Sequence, residues 1–251
     1  MTRPASLRRR VAAEALGTGL LAAVIIGSGI HASRLSADVG VALLVNVLAS
    51  ATALGLLLGV LGPVSGAHLN PLITLAAWWT GDVPRRDVAA YLPAQLTGGL
   101  SGAALAHAMY GLPPLTPGTH ERWGPGVWLA EAVATAGLLL VAFGLVRSGR
   151  ARLVPVAVPA WIGAAILCMP SNSFANPALT AARSLSDTFA GIAPASALLY
   201  LAAQFLGATA GLAAVALVFG HTSTRRTVVV TRSATPAGHP DPEHPATARP
   251  A

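Results

Sequence analysis

Two Asn-Pro steps carry the polar groups that are best placed to do chemistry in this sequence. Asn70-Pro71 lies in SGAHLNPLITLAAWW, which begins at Ser65, and Asn176-Pro177 lies in SNSFANPALTAAR, which begins at Ser171. Asn is a favoured N-cap and Pro suits the first helical turn, so each step predicts the start of a helix. Each helix N-terminus carries partial positive charge, and each Asn keeps amide N–H donors for a ligand oxygen.

The composition places these steps inside a membrane protein. Of the 251 residues, 54% are hydrophobic and only 10% are charged, whereas soluble domains carry about 25% charged residues. Lipid is therefore the expected solvent. The first apolar run holds Glu14 and shows no convincing cleavage site, which argues against a removed signal peptide. The lone cysteine, Cys168, excludes an intrachain disulfide.

Six apolar segments are long enough to cross about 30 Å of hydrocarbon. They are 11–30, 40–61, 88–109, 125–146, 153–169 and 195–219. Two shorter segments, 70–80 and 176–185, follow the Asn-Pro steps and predict helices that cross half of the membrane. The non-helical residues before each Asn must be buried in protein or line water, because lipid offers them no partners.

The domain organisation follows from these spans. We expect a basic leader at 1–10, one membrane domain at 11–220 and a disordered cytoplasmic tail at 221–251 that is poor in apolar residues. The domain divides into half-repeats at 11–110 and 125–220, joined by an outer linker at 111–124.

The arginines predict the orientation in the membrane. All 16 basic residues are Arg, and all except Arg34, Arg122 and Arg183 fall on one side of a six-span topology. By the positive-inside rule, both termini are cytoplasmic in a multi-pass protein of the inner or plasma membrane. The basic excess is a topology signal, so nucleic acid is not an expected partner.

The two halves resemble each other. AEALGTGLL from Ala13 matches AEAVATAGLLL from Ala130, and YLPAQLTGGLSGA from Tyr91 matches YLAAQFLGATAGLA from Tyr200. Because each half has three spans, the second copy enters the membrane from the opposite side, and such inverted repeats place solute sites at the midplane. Small residues in the matched spans predict close helix packing; they are Gly98, Gly102, Ala106, Gly207 and Gly211.

Glu14 and Glu131 occupy equivalent positions in the repeat and are costly inside a span. They could form a proton or cation relay. Alternatively, each could accept from backbone N–H groups of the nearby Asn-Pro loop. Their symmetric placement favours this buried structural role.

Taken together, these motifs resemble the major intrinsic protein family, the aquaporins and aquaglyceroporins. The resemblance covers about 11–220 and implies an all-α membrane fold: six transmembrane helices and two re-entrant half-helices in a right-handed bundle, one pore per chain, usually a homotetramer. It implies that the pore motifs are Asn70-Pro71-Leu72 and Asn176-Pro177-Ala178. We expect Leu72, in place of Ala, to narrow the pore waist slightly or to make it more apolar, with the function of the motif kept.

The outer constriction departs from water-selective members of that family, which carry an Arg three positions after the second Asn, with an aromatic residue and a His. Counting without gaps assigns Ser50, Ala164, Ser173 and Leu179 to these positions. All four are small or aliphatic, so a wide, weakly polar filter is expected. Further candidates for the pore or its vestibules are Gly66, Ala67, His68, Ser171, Asn172 and Arg183.

Two of the remaining residues leave alternatives open. Arg183 lies one helical turn beyond Leu179 and could face the pore, reach the interface or pair with Asp187. Its run, NPALTAARSLSDTFAGI, is similar to aquaglyceroporin-like channels found with bacterial arsenic-resistance genes. Cys168 could be accessible from the pore, although packing is favoured.

The sequence therefore predicts a passive channel for small neutral solutes: glycerol-like polyols, undissociated arsenite and water. The alternatives are a water-selective aquaporin, an ion-coupled transporter with only Glu14 and Glu131 to titrate, and a non-conducting structural protein. No pattern predicts an enzyme, a cofactor or a metal site.

Overall fold

The computed structural model of the chain describes residues 5–220 and is all-helical across that range. The leading residues 1–4 and the predicted tail at 221–251 lie outside the described residues. The helices are α1 (Leu7–Leu35), α2 (Val39–Ser65), α3 (Pro71–Trp79), α4 (Arg85–Met109), α5 (Pro125–Arg147), α6 (Val154–Cys168, preceded by a 3-10 turn at Ala151–Leu153), α7 (Pro177–Arg183) and α8 (Pro194–Phe219).

Six long helices and two short ones reproduce the predicted order of spans. Within 5–220, α1, α2, α5, α6 with its 3-10 turn, and α8 are both long and apolar enough to cross a membrane. The sixth, α4, has 25 residues and is more polar because it begins with Arg85, Arg86 and Asp87. In the first half, α4 occupies the position that α8 occupies in the second half.

The first and fourth helices begin earlier than the apolar patterns predict. Residues Arg8 to Arg10, expected in a leader, form the first turns of α1. Arg10 donates to Asp87 on α4 at 2.6 Å, so the two helices are tied together at one end. Ser6 caps α1 by accepting from the backbone N–H of Arg9.

Each half is a bundle built on one close helix pair, α1 with α4 and α5 with α8. A Cβ added at Gly98 would lie 2.2 Å from a backbone oxygen of α1, and one at Gly207 would lie 2.2 Å from a backbone oxygen of α5. A Cβ added at Gly102 or Gly211 would likewise lie 2.0 Å or 2.6 Å from a backbone oxygen of the facing helix. The predicted packing role of these glycines is confirmed, since a side chain there would force the pairs apart.

The halves join through α2 with α6, while each half-helix also contacts the other half. α7 packs against α4 and α1, and α3 packs against α8. Below, "outer" denotes the side of the 111–124 linker and "inner" the opposite side. The half-helices start between the halves, with α3 running to the inner side and α7 to the outer side.

Candidate functional site

A cavity of ≈ 270 Å³ lies between the two halves and is lined by both. Its wall reaches from Val39, at the outer start of α2, to Val154, at the inner start of α6. Most of the wall is aliphatic. The polar groups come mainly from the two Asn-Pro loops and from the outer end.

Asn70 and Asn176 lie side by side in this cavity. The Nδ2 of Asn70 donates to the carbonyl of Ala175 at 2.8 Å, and the Nδ2 of Asn176 donates to the carbonyl of Leu69 at 2.8 Å. Each Oδ1 accepts from the first turn of its own half-helix, at 2.9 Å in α3 and 3.0 Å in α7. A primary amide has two N–H groups, so each Asn retains one donor for a molecule in the cavity.

The other motif residues take different places. Pro71 and Pro177 occupy the first helical turn, where a missing N–H costs nothing. Leu72 is buried in the hydrophobic core and does not line the cavity, so the expectation that it narrows the pore waist or makes it more apolar is wrong. The helical rotation of about 100° per residue turns the next position, Ile73, to the wall instead.

The loops before each Asn hold an unusual backbone. Ala67 and Leu69 have φ of 46° and 49°, and Asn172, Ser173 and Ala175 have φ of 54°, 41° and 47°. Left-handed conformations cost non-glycine residues about 1–3 kcal/mol each and persist only where neighbouring groups hold them.

Glu14 supplies that support in the first half. Its buried carboxylate accepts from the backbone N–H of His68 at 2.9 Å and of Leu69 at 2.7 Å. Ser65 Oγ donates to it at 2.6 Å and Gln95 Nε2 at 2.8 Å. One carboxylate thus ties the loop to α4 as well as to α1.

Glu131 makes the equivalent contacts in the second half. It accepts from the backbone N–H of Phe174 at 3.1 Å and of Ala175 at 2.6 Å, and from Gln204 Nε2 at 2.8 Å. Both carboxylates are fully buried, and neither lines the cavity.

His68 and Phe174 mark where the two loops diverge. Each lies two residues before its Asn and packs edge-on against a tyrosine, His68 on Tyr91 at 5.6 Å and Phe174 on Tyr200 at 5.1 Å. His68 lines the cavity with Gly66 and bonds to Thr74. The loop on the inner side therefore presents an imidazole to the cavity at the position where the loop on the outer side presents a phenyl ring.

The wall of the outer half includes Ser50, Ser173 and Leu179, three of the four counted positions. The hydroxyl oxygens of Ser50 and Ser173 are buried without a hydrogen-bond partner within 5–220. Leu179 presents an apolar side chain that belongs to the same core cluster as Leu21 and Ile26.

The expectations for Ala164 and Ser171 are wrong. Ala164 lies on the exposed surface of α6, and Ile162 and Ile166 line the cavity in its place. Two residues of register turn a helix by about 200° and exchange its faces. Ser171 is buried outside the wall, where its carbonyl accepts from Tyr200, whereas Ala67 and Asn172 do line the cavity.

Two arginines reach the outer end of the cavity. Arg183 lines it and is only 8% exposed; its Nε donates to the carbonyl of Ala190, and its guanidinium lies 3.2 Å from the ring centre of Phe174. Arg122 comes from the linker, donates to Asn172 Oδ1 at 2.7 Å and lies 5.4 Å from the same ring centre. Sequence reasoning missed Arg122 because no periodic pattern marks a linker residue. Aligning Phe174 with His68 in the repeat could have identified that ring.

Arg183 does not pair with Asp187. That carboxylate accepts from the backbone N–H of Thr119 at 3.0 Å and from its hydroxyl at 2.8 Å. These bonds, the backbone one first, lower the pKa of Asp187. Cys168 is exposed and off the cavity wall, so the favoured packing for it is wrong.

Known proteins share this architecture. The family model described as Major intrinsic protein matches residues 1–175. The chain belongs to the major intrinsic protein family. It is 46% identical over 207 residues to the aquaglyceroporin AqpS of Rhizobium meliloti strain 1021, covering 82% of this chain and 88% of that protein.

More distant members of the family agree. A probable aquaporin PIP2-8 of Oryza sativa subsp. japonica is 31% identical over 238 residues, covering 86% of this chain and 81% of that one. The solved aquaglyceroporin structure from Plasmodium falciparum shares the fold, with a TM-score of 0.59 at 23% identity over 83% of this chain and 95% of that chain. The protein is thus a multi-pass membrane channel for water and small neutral solutes.

Within 5–220, no three His, Cys, Asp or Glu side chains group as a metal site would require.

Proposed function

We propose that this channel passes glycerol-like polyols and undissociated arsenite as well as water, through an outer constriction wider than that of a water-selective member. The observation that carries the proposal is the apolar side chain of Leu179 on the cavity wall, three residues after Asn176. A polyol has a hydrocarbon side and a hydroxyl side. Leu179 and the neighbouring aliphatic wall can contact the hydrocarbon side, and the amides of Asn70 and Asn176 can donate hydrogen bonds to the hydroxyl side.

Passive conduction is favoured over ion coupling by the charges along the wall. Among the described residues the wall holds no Asp or Glu, whereas Arg122 and Arg183 face its outer end. Two half-helix N-termini add partial positive charge at the midplane. In this proposal Glu14 and Glu131 are structural braces, since their oxygens are engaged with loop N–H groups.

The location and assembly in the proposal follow the arginine distribution and the family resemblance. Both termini face the cytoplasm, the chain lies in the inner or plasma membrane, and four copies assemble as a homotetramer around separate pores. Large apolar side chains such as Leu56, Val60 and Leu206 are exposed on the outside of the bundle, where lipid or a second copy would cover them.

A solute panel in proteoliposomes tests the proposal. We expect glycerol and arsenite at neutral pH to enter faster than into empty liposomes, together with rapid water flux and without proton current. Water flux with no solute flux would support the water-selective alternative instead. Solute uptake that requires a proton or sodium gradient would support the coupled transporter, and no flux of any kind would leave only a structural role.

A further inference from the structure

The two arginines at the outer end of the cavity form a concentrated positive site. Arg122 and Arg183 both lie against Phe174, with guanidinium carbons 5.4 Å and 3.2 Å from its ring centre. The two carbons are therefore at most 8.6 Å apart, whatever the angle between them. His120 lines the same part of the wall.

Neither guanidinium forms a salt bridge with a carboxylate within the described part of the chain. The ion pairs found there join Asp87 to Arg10 and to Arg86 at the inner end. Asp187 is the acidic residue nearest to Arg183 in sequence, and it is occupied by Thr119.

The hydrogen-bonding capacity of both arginines is also incompletely used. A guanidinium has five N–H donors. Arg122 gives one to Asn172, and its Nε is buried without an acceptor within 5–220. Arg183 gives its Nε to Ala190. The Nε of Arg122 is closed off from the cavity, so the donors open to an external acceptor are the terminal N–H groups of the two arginines, which both line the cavity.

We propose that Arg122 and Arg183 together bind a small inorganic oxyanion at the outer end of the cavity, and that the bound anion obstructs the passage of neutral solutes. Planar guanidinium forks match the paired oxygens of sulfate or phosphate. Two forks at most 8.6 Å apart can contact one tetrahedral anion from two sides. Both arginines line the cavity, so an anion held between them lies on the solute path. The obstruction rests on the proposed channel function, whereas the binding does not.

Equilibrium dialysis of radiolabelled sulfate against the detergent-purified full chain tests the binding directly. At constant ionic strength set with chloride, we expect one saturable site per chain. Arg122→Gln should weaken it by about tenfold or more, because a charge-assisted hydrogen bond and half of the local charge are lost. Arg34→Gln is the matched control: Arg34 is also on the outer side, bonds to the carbonyl of Tyr110 and is off the cavity wall, so sulfate binding should be unchanged.

Arg183→Gln should abolish the site, provided that the variant still elutes as folded protein in size-exclusion chromatography. If loss of its bond to Ala190 prevents folding, the comparison of Arg122→Gln with Arg34→Gln decides alone. Absence of saturable binding, equal binding by Arg122→Gln and the unchanged protein, or equal loss in Arg34→Gln would each overturn the site.

Glycerol uptake measured with sulfate on both sides of the proteoliposome membrane tests the obstruction. Uptake should fall as sulfate saturates its site, and Arg122→Gln should shift the inhibition to about tenfold higher sulfate. Sulfate binding without inhibition overturns the obstruction alone. If no protein carries glycerol, the proposed function fails while the dialysis result still stands.

Discussion

Replacing Glu131 with Gln should destabilise the protein because the carboxylate is the acceptor for three donors. Two are the backbone N–H groups of Phe174 and Ala175, and the third is Gln204 Nε2. A Gln side chain offers one oxygen and turns its own N–H groups toward the remaining donors. Each buried donor left without an acceptor costs about 1–3 kcal/mol, so the variant should lose about 2–5 kcal/mol.

That loss corresponds to a lowering of the apparent Tm by roughly 4–20 °C for a chain of this size. It is measurable in detergent by heating a fluorescent fusion and following the folded peak in size-exclusion chromatography. Glu14→Gln should lower the Tm at least as much, because Glu14 accepts four such bonds. Glu121→Gln, at an exposed linker position, is the control and should change stability by less than about 0.5 kcal/mol.

The brace interpretation fails if Glu131→Gln melts within about 2 °C of the unchanged protein, the shift that 1 kcal/mol gives at the low end. A fully stable Glu131→Gln protein that loses a proton current would instead favour the ion-relay alternative.

Two further predictions concern packing and the outer loop. Gly98→Ala and Gly207→Ala should each destabilise the protein by about 1–3 kcal/mol, because the new Cβ would lie 2.2 Å from the backbone of the facing helix. Gly59→Ala is the control: its Cβ would meet nothing within 4 Å, so this variant should be neutral or slightly more stable. Apparent Tm values measure all three variants, and equal effects would contradict the packing argument. The pKa of Asp187 is lower in the folded protein than in the unfolded chain. Its bonds to Thr119 therefore add their full stability above the unfolded pKa of about 3.9, and this stability is lost as the pH falls through the lower pKa of the folded protein. The protection factor of the Thr119 amide, which is its exchange rate corrected for the intrinsic effect of pH, should therefore fall on acidification below about pH 4. Asp187→Asn should remove that dependence and Thr119→Val, which keeps the backbone N–H, should only weaken it; an unchanged profile in Asp187→Asn would contradict the assignment.

The motifs predicted the parts of the fold that depend on local chemistry. Asn70 and Asn176 start helices because N-capping and the following Pro are local properties of the chain, and the repeated Glu positions could be read directly from the aligned halves. The spacing of small residues within one helix likewise indicates the face on which that helix packs closely against its partner. These features are specified within single segments, so one sequence is enough to find them.

The wall of the outer cavity could be predicted only in part. The position of Ala164 was counted back from Asn176, across a non-helical segment and the end of α6. Over a non-helical segment, the number of residues does not determine which face of the helix a position lies on. Ser50 was also counted across a helix end and did reach the wall. Arg122 could not be found at all, because its approach to Asn172 and Phe174 depends on how the linker folds over the bundle.

The central claim is that the apolar Leu179 wall makes the outer constriction wide enough for polyols. The ratio of glycerol to water permeability in proteoliposomes, measured for Leu179→Arg, tests it most directly. A long, charged side chain at this position should lower glycerol flux by about tenfold, equivalent to about 1.4 kcal/mol in the barrier, while water flux falls much less. Leu179→Met, which keeps volume and apolar character, should leave the ratio unchanged. An equal fall in water and glycerol flux for Leu179→Arg, in protein that still folds, would show that Leu179 does not set the constriction.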